Sequence, residues 1–96
     1  MIIVIIFAII KAEVVKVMLG MILRNVRKIR GYTQTQIGKK LNLAENTISN
    51  YETEHSSPNF DTIYKFITTC NFTMQFVDKE NKKVYTIEEI SKEMDF

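Results

Sequence analysis

Residues 45 to 53 read Glu-Asn-Thr-Ile-Ser-Asn-Tyr-Glu-Thr. At helical spacing, Glu45, Asn46, Ser49, Asn50 and Thr53 fall on one side, and Ala44, Ile48 and Tyr51 form an apolar stripe on the other. All five side chains of the polar set can hydrogen-bond. An asparagine amide presents a donor and an acceptor together, and a carboxylate can accept from cytosine N4. The plain alternative is a solvated helix face. Such faces are usually filled with Lys and Glu, whereas this set is short, amide-rich and, Glu45 apart, free of both. It also follows a segment bearing Lys39 and Lys40. A polar helix of this kind, propped on another helix, is the device that reads base edges in the major groove of DNA.

Other chemistry is poorly represented. Cys70 is the single cysteine and His55 the single histidine, so there is no internal disulfide and no set of soft metal ligands. No nucleophile, histidine and acid stand in a recognisable motif, and no glycine-rich phosphate loop is present. The expectation is a non-enzyme with no cofactor and no metal, in a reducing cytoplasmic compartment.

The elements that must position the polar helix follow from local signals. From Leu19, the apolar residues Ile22, Val26 and Ile29 recur at i, i+4 and i+7, with Arg24, Lys28 and Arg30 directed away and Gly31 as the stop. Thr33-Gln-Thr-Gln36 fits a capping box, so a second helix starts at Gln34, with Ile37 and Leu41 inward. Gly38 leaves room for another backbone to approach. Asn42 tolerates the left-handed conformation that ends a helix, which makes Leu41-Asn42-Leu43 the turn. After Pro58, Asn59 caps a further helix with Phe60, Ile63, Ile67 and Cys70 as its stripe, ended by Asn71. The period then changes to alternation over Phe72–Val77 and again from Val84, separated by a polar loop from Asp78 to Lys82, as in a β-hairpin. Thr86 to Glu89 forms a second capping box, opening a short helix with Ile87, Ile90 and Met94 inward.

Ninety-six residues with 46% hydrophobic side chains make one small core, for which oligomerisation would be a help. The net charge of +2 is modest, but it is unevenly placed: residues 18–70 carry seven Lys/Arg against four Asp/Glu, and residues 71–96 carry four against six. The positive field sits on the helix pair. The apolar run from Ile2 to Ile10 would span only about 14 Å as a helix, too short for a membrane crossing, and its flanks do not fit a secretory signal. Three readings of it stay open: a buried or paired strand, an upstream extension with Met18 or Met21 as the natural start, and a membrane-surface anchor.

The segments LRNVRKIRGYTQTQIGKKLNL, TISNYE, SSPNF and IYKFITTCNF together resemble the Cro/CI-type, or XRE-like, helix-turn-helix family of bacterial and phage regulators, over residues 19–71. The resemblance implies a lambda-repressor-like four-helix domain, here followed by a β-hairpin and a short helix. It places Glu45, Asn46, Ser49 and Asn50 at bases. Thr33, Gln34 and Lys39, around the second helix, and Thr53, His55 and Ser56 fall at phosphates. Arg27 and Glu52 form a structural ion pair. Some positions depart from the family pattern. Ala44 replaces the usual Ser or Thr cap, at a cost of about 1 kcal/mol. Gly38 stands where alanine is commonest, and Glu54 replaces a frequent glycine, which implies a differently shaped loop. Glu45 brings a negative charge that trades affinity for selectivity.

The resulting expectation has three segments: an apolar extension (1–18), a DNA-binding domain (19–71), and a hairpin with a short helix (72–96) for dimerisation or partner contact. The first reading is a sequence-specific transcriptional regulator, a repressor acting as a dimer on an inverted repeat of double-stranded DNA. The second is an antitoxin that binds a toxin protein and autoregulates its operon. The third is a protein-interaction module that keeps the scaffold without the DNA role. None of them requires a membrane.

Overall fold

A computed structural model describes residues 18–94. The chain runs α1 (18–29), α2 (Gln34–Leu41), α3 (Glu45–Glu52), α4 (Phe60–Thr69), β1 (Gln75–Val77), β2 (Val84–Thr86) and α5 (Ile87–Ile90). It is mostly helical, with four helices followed by the expected hairpin and short helix. The three readings of Ile2 to Ile10 concern residues outside the described ones. No helix among the described residues is long and apolar enough to cross a membrane.

The local punctuation falls where the side-chain chemistry puts it. The Thr33 hydroxyl accepts from the Gln36 amide while the Gln36 side chain accepts from the Thr33 amide, and Thr86 and Glu89 repeat this reciprocal pair at α5. Asn59 caps α4 through the Thr62 amide. Asn42 and Asn71 take left-handed conformations that turn the chain after α2 and α4.

Leu23, Ile37, Ile48, Phe66, Ile67 and Cys70 form the core, flanked by Leu19, Val26, Tyr32, Leu41, Leu43 and Tyr51. The faces of several elements differ from the sequence expectation. In α1 the buried line is Leu19, Leu23 and Val26, so Ile22 is exposed and Ile29 is 65% exposed. The same i, i+4, i+7 spacing fits both lines, and packing selects the one that also buries Arg27. Arg30 is not directed away: its Nε donates to the Cys70 carbonyl at 2.7 Å, and its guanidinium lies over the Phe72 ring. Ala44 precedes α3 and is exposed, leaving Ile48, Tyr51 and Glu52 to make the inward contact. In α4 the first residue, Phe60, is 58% exposed, and Phe66 fills the core in its place. Of the α5 set, only Ile87 is buried; Ile90 and Met94 are exposed.

Gly38 carries the sharpest steric requirement of the turn. A Cβ there would lie 2.7 Å from the Leu43 carbonyl oxygen. We expect Gly38→Ala to lower the melting temperature, because forcing that backbone apart costs about 1–3 kcal/mol and outweighs a helix-propensity gain of up to about 1 kcal/mol. A rise in melting temperature would mean that the turn yields without cost.

The hairpin pairs Gln75 with Thr86, Phe76 with Tyr85 and Val77 with Val84. It is shorter than the alternation suggested, because Phe72 and Met74 pack on the core and Ile87 opens α5. Tyr64 Oη donates to Glu88 Oε1 at 2.7 Å, tying α5 to α4. This bond holds the Glu88 carboxyl below the usual carboxylate range and raises the Tyr64 phenol. The contact therefore stabilises the docked α5 above the unfolded carboxylate range and is lost as pH falls through the folded Glu88 value. At high pH it is lost as the phenol ionises. Tyr64→Phe should remove the acid-side part of this dependence, read as α5 amide exchange against pH, and an unchanged profile would show that the bond does not hold α5.

Candidate nucleic-acid interface

Helices α2 and α3 are joined by the short Asn42–Ala44 turn, and Gly38 permits the close crossing that this requires. Burying Ile48 and Glu52 turns the opposite side of α3 outward. Glu45 and Asn46 are exposed, while Ser49 and Asn50 are half-buried on the same side. No side chain caps α3, as Ala44 implies, so the first-turn amides have no side-chain acceptor of their own.

Glu52 lies at the end of this helix and is anchored from α1. Arg27 Nε donates to Glu52 Oε2 at 2.6 Å and its second terminal nitrogen to Oε1 at 2.8 Å, while the first terminal nitrogen donates to the Tyr32 carbonyl. Both side chains are more than nine-tenths buried. The hydrogen bonds to Glu52 raise Arg27 above its ordinary value, against the effect of burial. This forked pair fixes the angle of α3 on α1. Gly20 shares in that fit, since a Cβ there would lie 2.7 Å from the Glu52 carbonyl oxygen.

The remaining candidate residues are distributed around α3. Gln34, at the first position of α2, donates from its amide to Glu52 Oε1 at 3.3 Å. Thr33 is exposed, with its hydroxyl oxygen accepting at the cap. Lys39 is exposed in the last turn of α2, at the other end from Gln34. The Thr53 hydroxyl donates to the Ser49 carbonyl at 2.7 Å and lies 2.8 Å from His55 Nδ1, and the Thr53 amide also donates to Ser49. The Thr53 hydroxyl thus links the end of α3 to the His55 ring. Ser56 is exposed, and its amide donates to the Asn50 carbonyl. Glu54 itself adopts the left-handed conformation, at φ 68°, so the loop keeps a shape that glycine would also allow.

Gln34, Thr53, Arg27 and Glu52 line one cleft of about 220 Å³, together with Arg24. The sequence pattern points Arg24 away from the core and singles out neither it nor Gly20 as part of this region. Both sit on the α1 face that meets the end of α3, and a glycine kept within a helix, despite its propensity cost, was the available signal. No cluster of metal-ligating side chains occurs among the described residues. Burial pushes the Cys70 thiol up, as suits an inert core residue.

Two helices at a tight turn, the second with a polar face held outward by a buried ion pair, define a helix-turn-helix protein. The helix-turn-helix family model HTH_3 matches residues 23–77. The chain belongs to this XRE-type helix-turn-helix family. It is 35% identical over 68 residues to the HTH-type transcriptional regulator ImmR of Bacillus subtilis, covering 68% of this chain and 54% of that protein. It is 30% identical over 56 residues to Antitoxin HipB of Escherichia coli K12, covering 58% of this chain and 64% of the relative. The chain thus spans less than two thirds of the length of either curated relative. A chain in the solved HipA-HipB-O2-O3 complex superposes with a TM-score of 0.56 at 26% identity, over 67% of this chain and 90% of that one.

Proposed function

We propose that this protein is a sequence-specific DNA-binding transcriptional regulator that acts as a dimer on an inverted repeat and represses by occluding a promoter. The observation that carries the reading is the outward, hydrogen-bonding side of α3 bearing Glu45, Asn46, Ser49 and Asn50. These residues read bases in the major groove. Thr33, Gln34, Lys39, Thr53, His55 and Ser56 hold phosphates. In an inverted repeat, two such helices lie about 34 Å apart, one turn of duplex. The domain division follows, with residues 19–71 contacting DNA and residues 72–96 joining subunits. Exposed Phe76, Val77 and Val84, on a hairpin that has two strands among the described residues, support that joining role. A cytoplasmic location goes with the DNA role.

A second reading, an antitoxin that also binds a toxin protein, is supported by the similarity to HipB and to a chain of the HipA-HipB-O2-O3 complex. It keeps the DNA interface and assigns residues 72–96 to the partner as well. A footprint on the region upstream of the gene, together with a solution mass, tests the common core. Symmetric protection by a dimer is expected. A monomer that leaves the duplex unprotected would overturn the proposal.

A further inference from the structure

The cleft between α1, α2 and α3 has a charge balance that the ion pair alone does not explain. Its lining contains two guanidinium groups, Arg24 and Arg27, and one carboxylate, Glu52. Arg27 and Glu52 neutralise each other through their forked hydrogen bonds. Arg24, exposed on α1, leaves the cleft with one net positive charge. Gln34, also in the lining, gives one amide proton to Glu52 and has a second available. The opening is thus lined by a fixed cation and a neutral donor, above a floor that is already satisfied. One singly charged oxyanion matches that set in charge and in hydrogen-bonding type.

We infer that this cleft seats one backbone phosphodiester of the bound duplex and that Arg24 is its charged partner, with Gln34 as the neutral one. This rests on the DNA-binding reading above and adds to it a residue from α1. Burial of the Arg27–Glu52 pair keeps the Glu52 carboxylate from repelling the phosphate, because its charge is matched before the ligand arrives. Arg24 reads no base. It contributes equally on every sequence and sets the position of α2 over the backbone.

The test is the salt dependence of binding to a random-sequence duplex, measured for the full chain and for Arg24→Gln, Arg24→Lys and Lys28→Gln. Lys28 is exposed on the same helix and does not line the cleft. Losing one phosphate contact reduces the slope of log K against log salt by about 0.9. We expect that reduction for Arg24→Gln, the parent slope for Arg24→Lys, and the parent slope for Lys28→Gln, with all variants melting cooperatively. An unchanged slope for Arg24→Gln, or an equal reduction for Lys28→Gln, would overturn the seat while leaving DNA binding in place. A parent protein whose duplex binding is absent or insensitive to salt would instead remove the DNA-binding reading, and the seat with it.

Discussion

Glu52→Ala should destabilise the domain by about 3–5 kcal/mol, enough to leave much of a small domain unfolded at room temperature. The substitution removes both carboxylate oxygens that Arg27 contacts and leaves a guanidinium buried with only the Tyr32 carbonyl as partner. It also deprives Gln34 of its acceptor. The large effect comes from the orphaned charge rather than from the worth of the pair. For that reason the double replacement Arg27→Met with Glu52→Leu should recover most of the loss, since an apolar pair of similar volume has no buried charge to solvate. Urea unfolding at constant protein concentration reads both variants. A loss below about 1 kcal/mol for Glu52→Ala, the range of an exposed ion pair, would show that the pair is solvated and does not set the angle of α3.

Asn46→Ala combined with Asn50→Ala should abolish discrimination between operator and random duplex while leaving salt-dependent binding to random duplex close to that of the parent. Each well-placed amide–base pair contributes about 1–3 kcal/mol of discrimination. Two of them together account for a factor of at least about 30 in the ratio of specific to non-specific affinity. Neither residue is in the core, so the double variant should melt near the parent. The Asn50 carbonyl, which accepts from Ser56, is backbone and survives the substitution. Unaltered discrimination in the folded double variant would move base reading off this face. The proposed base reading also gives Glu45, at the leading end of α3, a preference for cytosine through its carboxylate.

The parts of this architecture that depend on neighbours in the chain were legible before the fold. Thr33 with Gln36, Thr86 with Glu89, and Asn42 and Asn71 as left-handed stops each need only a few consecutive residues. The polar side of α3 was legible for the same reason. Burial in α1 was not, because Ile22 and Ile29 share the helical spacing of the line Leu19, Leu23 and Val26, and only the approach of α3 decides between the two. That approach is recorded in Gly20, whose missing Cβ admits the Glu52 carbonyl. Phe60 stays out of the core because it is the first residue of α4, Ile90 because it ends α5, a helix of one turn, and Met94 because it lies beyond that helix. Glu54 shows a different limit: its left-handed backbone is set by the turn after α3 and not by its own preference. The cleft holding Arg24, Gln34 and Glu52 joins three helices and has no local signature.

Selection from a randomised duplex pool with the purified protein reads directly whether the outward side of α3 recognises sequence. Enrichment of a two-fold symmetric site is expected, with half-sites centred about one helical turn, 34 Å, apart. A pool that remains random after repeated rounds, with a folded and pure protein, would contradict it.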